Sequence, residues 1–203
     1  KPGGRLGIVL PESVFNNPSL GYVREFCENR AFIRAVISLP QDTFVSSGAS
    51  VKASLLFMKK FGRKEQADFD ANVAAAEKEA REKHSQEKAK RAQKLLVAIE
   101  EAKQDRDATR RKALQKELHD YQREIEERIE REARALLKER FPYPIFLYEA
   151  EHVGITATGE TDQVPNELVP NESKPADVEQ TTIELYLRFI ADPKPFLLAE
   201  THA

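Results

Sequence analysis

Residues 4–10, GRLGIVL, and residues 32–39, FIRAVISL, decide the fold of this chain. Each is a short apolar run closed by Leu-Pro: the turn Pro2-Gly3-Gly4 opens the first and Pro11 stops it, while Pro40 stops the second. Apolar runs of this length bounded by Gly and Pro read as strands buried on both faces, as in a parallel sheet covered by helices. Between them, Ser19 to Asn29 places Leu20, Val23, Phe26 and Cys27 on one helical face, which gives the order strand, helix, strand. A third run, Ser54-Leu55-Leu56-Phe57-Met58, follows after a loop alone, which admits antiparallel pairing with the second. A turn that feeds a buried strand with no earlier element to cover it is a poor start for an α/β domain. The expectation is therefore the C-terminal part of a larger sheet domain.

From Gly62 to Pro142 the chain has no internal Gly or Pro and is dominated by Ala, Glu, Lys, Arg and Gln, all strong helix formers. One continuous helix of this length would extend about 120 Å. Ala92, Leu95, Leu96, Ile99 and Ala102 form one apolar stripe. Leu114, Leu118, Tyr121, Ile125, Ile129, Ala133, Leu136 and Leu137 form a second, spaced close to a heptad seam. Gln104 to Arg111 between them has no apolar side chain larger than Ala, and Asp105 or Asp107 is suited to cap a second helix. Two readings stay open. The favoured one is an antiparallel hairpin, because the stripes are similar in length and both ends must return to one domain. The other is a single long helix that pairs with another chain.

The charges of this segment are mixed in sign. Glu79–Lys83, Glu87–Arg91 and Glu124–Arg128 stand four apart and read as solvated pairs along one helix, worth a few tenths of a kcal/mol each. The plainer reading of these charges is a solvated helix surface; the sharper one makes Arg106, Arg110, Arg111 and Lys112 a basic tip that touches a DNA backbone, a reading weakened by Asp105 and Asp107 in the same cluster. His84 and His119 lie far apart with no Cys or second His nearby, so no metal ligation is expected.

Composition narrows the classes. A formal net charge of −2 gives no global attraction to phosphate, so any nucleic-acid surface must be local. The single cysteine, Cys27, excludes an internal disulfide and fits a reducing, cytoplasmic compartment; its expected role is a buried small apolar residue. No apolar run approaches the ~20 residues that span a membrane. Phe141-Pro142-Tyr143-Pro144-Ile145-Phe146-Leu147-Tyr148 ends the helical segment and is expected to pack on the sheet in extended form, with Tyr143 and Tyr148 as core residues. Residues 154–176 read as surface loop. Asp177 is placed to cap a last helix, with Val178, Leu185, Tyr186, Phe189 and Ile190 on one face and Asp192-Pro193 as its end. Three regions result: 1–61, 62–141 and 142–203.

The order Gly3-Gly4-Arg5-Leu6-Gly7-Ile8-Val9-Leu10-Pro11, Asn17-Pro18-Ser19, Val23-Arg24-Glu25-Phe26, Ile33 to Pro40, Thr43-Phe44, Ser47-Gly48-Ala49-Ser50-Val51-Lys52 and Ser54 to Phe57 resembles adenine-specific DNA methyltransferases. It is most similar to modification subunits of type I restriction systems, strongly over residues 1 to 61. The likeness continues weakly through Val153-Gly154, Thr158-Gly159 and Val164 to Leu168. The resemblance implies an α/β fold in which these segments are the last three strands of a Rossmann-like, S-adenosylmethionine-dependent methyltransferase sheet, the final two antiparallel. The long helical hairpin or coiled coil would be an insertion. It further implies methyl transfer to the exocyclic amine of adenine, with double-stranded DNA, specificity and restriction subunits as partners. Apart from the resemblance, the single-helix reading of residues 62–141 would make a homodimer through that segment.

Two motifs of that family are missing. A Gly-rich loop for the cofactor does not occur, and Asn17-Pro18-Ser19 lacks the second Pro and the aromatic of the Asn-Pro-Pro-aromatic motif, so it reads as a loop and helix cap. No catalytic, cofactor-binding or metal residue is therefore expected within these residues, and S-adenosylmethionine is not expected to bind them alone. What remains is the loop Gln41 to Lys52. Methylating an adenine amine requires the base to leave the duplex and be held flat, which an aromatic ring does by stacking. The resemblance places Phe44 in that role, against the plainer reading that it plugs the core beneath the loop. Ser46, Ser47, Gly48, Ser50 and Lys52 offer hydroxyls, backbone amides and one ammonium to the DNA backbone. The competing reading from another class is a helical interaction module with no catalysis of its own.

Overall fold

The computed structural model of the chain describes residues 1–170 and 180–196. Two compact units result, residues 1–66 with 143–203 and residues 67–142. Among the described residues no helix is long and apolar enough to cross a membrane.

The first unit is built on a four-stranded sheet. Its strands, β1 (Arg5–Pro11), β2 (Ala31–Ser38), β3 (Ala53–Lys60) and β4 (Phe146–Glu149), lie in the order β1-β3-β2-β4. β3 runs antiparallel to both neighbours, with Leu56 between Ile8 and Val36. β4 runs parallel to β2, with Leu147 beside Val36. Three strands thus share one direction and β3 is inserted against it, which matches the antiparallel pairing expected of the third run. The link from β1 to β2 carries two helices, α1 (Ser13–Asn16) and α2 (Gly21–Glu28). Asn17 caps the turn between them through its Oδ1, which accepts from the Ser19 amide at 2.9 Å and the Ser19 hydroxyl at 2.8 Å.

Burial follows strand position. On β2, Ala31, Ile33, Ala35 and Ile37 are buried and the alternate residues half-buried, so this strand is covered on both faces. β1 departs from the expectation of a strand buried on both faces: Leu6, Ile8 and Val9 are 48%, 40% and 49% exposed. Among the described residues it is an edge strand with β3 as its one neighbour, and α2 packs on β2. α2 also departs in part. Leu20, Val23 and Cys27 are half-buried, but Phe26 is 60% exposed, its ring capped by the Arg30 guanidinium at 4.1 Å. Cys27 is therefore not the enclosed core residue expected, although burial still pushes its thiol pKa up.

The aromatic run after Pro142 packs on the sheet as expected. Phe146 is 3% exposed and clusters with Ala35 of β2 and Phe189. Tyr143 meets Phe32 edge-on at 5.2 Å. Phe189 lies on α5 (Thr182–Ala191), where Leu185 and Tyr186 also face the cluster but Ile190 is 56% exposed. The expected cap Asp177 and face residue Val178 lie outside the described residues. The helix starts instead from Thr181, whose amide donates to the Glu184 carboxylate at 2.7 Å while its side chain accepts from the Glu184 amide, a capping box. Glu167 is 3% exposed and accepts the Glu151 amide at 2.6 Å on its carboxylate and the Thr182 amide at 2.9 Å on its carbonyl.

The second unit is an antiparallel helical hairpin. α3 (Arg63–Gln104) and α4 (Ala108–Arg140) are joined by Asp105-Arg106-Asp107. Asp107 is the N-cap, its carboxylate accepting the Arg110 amide at 2.9 Å. The seam holds Ala80 and Leu95 against Tyr121, Ile125, Ile129 and Ala133, with Leu114, Leu118 and Leu136 at its border. α3 enters it through Ala76, Ala80 and His84, which the leucine stripe did not reveal, and Leu96 is 50% exposed rather than inside. The expected pairs Glu79–Lys83 and Glu87–Arg91 do not form, because these residues find partners across the hairpin, while Lys78–Glu82, Glu100–Lys103 and Arg123 with Asp120 and Glu127 pair along their own helix. Arg128 reaches Glu87 at 2.7 Å, Arg91 reaches Glu117 at 3.7 Å, Lys83 pairs with Glu132, and Arg140 with Glu79. In an antiparallel pair the flanks of the seam face each other, so residues there find partners on the opposite helix. His84 Nε2 lies 2.6 Å from Glu132 Oε2 within that flank, and His84 is 9% exposed.

Candidate functional site

β2 delivers the chain to the loop 41–52, and β3 takes it away. The ladder continues one step beyond the strand, with the Leu39 amide donating to the Ala53 carbonyl at 3.0 Å, and then Pro40 ends it. The loop is tightly wound on itself. Thr43 bonds back to the Pro40 carbonyl through its amide and, at 2.8 Å, its hydroxyl. Val45–Ser47 forms a single 3-10 turn, and Gly48 closes it at φ 83°, a left-handed conformation that a side chain would strain. The Gln41 side-chain amide spans the loop to the Ser50 carbonyl at 2.8 Å.

Phe44 is half-buried and packs on the cluster of Ile37, Leu39 and Ala150, beside Tyr148 and Leu168. Ser46, Ser47, Gly48 and Ser50 are exposed and share the turn and its descent. Lys52 stands apart from them. It is half-buried, its ammonium bonded to Glu149 Oε1 at 2.9 Å, and that bond above all holds its pKa up. Any anion that Lys52 meets must share it with Glu149.

A second segment supports the loop. Residues Ile155 and Thr161 bridge in a small antiparallel turn whose corner is Gly159 at φ 85°. A Cβ on Gly159 would stand 2.7 Å from the Ser46 Cβ, so the two turns touch at van der Waals limits. Sequence reasoning marked Thr158-Gly159 as a turn but not as a buttress, because no pattern along the chain signals a contact over that separation. Glu149, the partner of Lys52, was missed for the same reason.

Gly3, Gly48, Gly154 and Gly159 sit in turns at positive φ, and Gly7 faces the Phe57 ring, 3.0 Å from where its Cβ would be. Beyond the end of β1, Asn17 spends its side-chain oxygen on Ser19.

A search of curated proteins finds no match to this chain. The family model for N-6 DNA methylase matches residues 1–135, which takes in β1, β2, β3, the loop between the last two, and most of the hairpin. A match over more than half of the residues, on a chain whose third strand is inserted antiparallel between the first two, identifies it: the chain belongs to the N-6 DNA methylase family.

Proposed function

We propose that this chain is the target-base side of an adenine-N6 DNA methyltransferase in a type I restriction–modification system, working in the cytoplasm with specificity and restriction subunits on double-stranded DNA. The family match over residues 1–135 is the observation that supports it best. In this reading S-adenosylmethionine and the Asn-Pro-Pro-aromatic acceptor motif belong to residues outside the 203, and these residues alone neither bind the cofactor nor transfer a methyl group. The cofactor supplies the electrophilic methyl when bound. The residues present act on the base: Phe44 stacks on the extruded adenine, and the Ser47-Gly48 turn, Ser50 and Lys52 hold the flanking backbone. The wound loop would keep that surface ordered before DNA arrives, so little ordering entropy remains to be lost on binding.

The test uses the complete parent enzyme. Phe44→Ala is expected to lower single-turnover methylation by roughly 5- to 150-fold, the equivalent of a ~1–3 kcal/mol stacking contact. Phe44→Tyr should retain most of the rate, since the ring face supplies the interaction. A large fall in melting temperature with unchanged transfer by the folded enzyme would leave Phe44 as a plug on Ile37 and Leu39.

One observation favours a second reading. Leu96 and Val97 of α3 are 50% and 48% exposed, an apolar pair outside the seam. In that reading the hairpin is a docking module for a specificity subunit, another protomer or a nuclease, and removing residues 67–142 would abolish assembly while sparing the sheet unit.

A further inference from the structure

The charges of the hairpin are segregated along its length. Residues 88–116, which include the turn and the ends of both helices that meet there, hold ten Lys and Arg against four Asp and Glu. The remainder of the unit, 67–87 and 117–142, holds nine against fourteen. Three of the four acids near the turn are committed locally: Asp107 caps α4, Asp105 pairs with Arg110 at 3.8 Å, and Glu100 with Lys103 at 3.1 Å. Against them, Lys90, Lys94, Arg106, Arg111, Lys112 and Lys116 are all exposed and have no partner among the described residues. They are also arranged. Lys112 and Lys116 line a shallow concavity with Thr109, and Lys90 and Lys94 border a groove between α3 and α4 whose two acids, Glu87 and Glu117, are paired with Arg128 and Arg91.

The turn itself points the same way. The Asp107 amide donates to the Ala102 carbonyl at 3.0 Å and the Arg106 amide to the Lys103 carbonyl at 3.2 Å, the Schellman pattern that ends α3. Its left-handed position is normally glycine, yet here it is Arg106 at φ 58°, the one non-glycine residue with positive φ among those described. A strained residue kept where glycine fits better motivates a role for its side chain. We propose that residues 88–116 form a second DNA surface, distinct from the loop 41–52, that grips the phosphate backbone of duplex DNA without reading sequence. The choice of DNA as the polyanion rests on the methyltransferase reading; the surface does not depend on Phe44.

The experiment titrates the whole 203-residue chain with a fluorescent duplex of arbitrary sequence, read by anisotropy from 50 to 200 mM salt. Lys112→Gln with Lys116→Gln should weaken binding by roughly tenfold and flatten the slope of log K against log salt by about 2. Lys78→Gln with Lys138→Gln, the same charge change in the acidic remainder, should leave affinity within about twofold. Arg106→Gly separates function from structure: it should raise the melting temperature, by about 2–4 °C, and still weaken binding. No duplex binding by the unaltered chain, or equal losses from the two lysine pairs, would overturn the proposal. So would tighter binding of poly-glutamate than of duplex, which would assign the surface to an acidic protein. Duplex binding that follows the tip lysines, in an enzyme whose methylation ignores Phe44→Ala, would leave this surface standing and remove the base-stacking role; the opposite pair of results would do the reverse.

Discussion

The sheet unit and the hairpin are held by different means. On one side of β2 the core is aromatic: Phe146 is ringed by Tyr148, Tyr186, Phe189 and Phe196 with centroids 5.4–6.3 Å away. The hairpin seam is built from alanines, one leucine, one tyrosine and two isoleucines, and flanked by ion pairs that cross between the helices. Large rings concentrate the hydrophobic gain in a few places, whereas small seam residues spread it and let the backbones approach. The first arrangement is sensitive to the truncation of single rings. The second divides its stability among many sites and makes part of it electrostatic.

Truncation tests this difference most strongly. Phe146→Ala should cost ~3–5 kcal/mol, and Ile125→Ala in the seam ~2–5 kcal/mol, both read from urea unfolding. If the units are independently cooperative, Phe146→Ala should abolish near-ultraviolet tyrosine signals of the sheet while most of the far-ultraviolet helical signal persists. A single transition lost as a whole would merge the two regions into one folding unit. Gly48→Ala should cost about 1–2 kcal/mol, because φ 83° is strained for any side chain, and its effect should appear in the sheet transition alone.

The smallest expected effect is the pH response of the hairpin. Glu87, Glu126 and Glu132 are held below the ordinary glutamate value, chiefly by Arg128, Lys88 and Lys83 respectively. A depressed carboxyl pKa contributes stability that is complete above the unfolded value near 4.3 and is lost as pH falls through the folded value. Helical signal in moderate urea should therefore decline below about pH 4.3, and Glu132→Gln should flatten that decline. These groups are largely solvated, so salt should weaken the response as well. An unchanged acid profile in the Gln variant would deny the ladder any part in stability.

What was legible in the sequence follows from the range of each signal. Pro11, Pro40 and the gap at 104–111 are local punctuation, and strand ends and the hairpin turn fell where they indicated, with Asp107 the cap in the structure. The seam was half legible. Tyr121, Ile125, Ile129 and Ala133 stand out by spacing, but alanines at 76 and 80 do not differ from alanines on a solvated face, and Leu96 adjoins Leu95 without sharing its side of the helix. The cross-pairing of Glu79, Glu87 and Lys83 was invisible because it depends on the register of α4 against α3, which no helix carries in its own spacing. In the candidate site, Gly48 and the serines were marked by turn composition. Glu149 and Gly159, more than a hundred residues after Ser46 in the latter case, come to the loop only through the fold.

The contact between His84 and Glu132 has a consequence for how the two helices are aligned. Tyr121, Ile125, Ile129 and Ala133 recur every four residues, so sliding α4 by one turn, about 5.4 Å, would still set apolar groups against apolar groups. The oil of the seam is nearly indifferent to that slip. The imidazole is not: at 9% exposure it would lose the carboxylate 2.6 Å away and meet Arg128 or Leu136 instead, a cation or a hydrocarbon. One polar pair thereby acts as an index pin, selecting a single alignment from a set the hydrophobic pattern leaves almost equal.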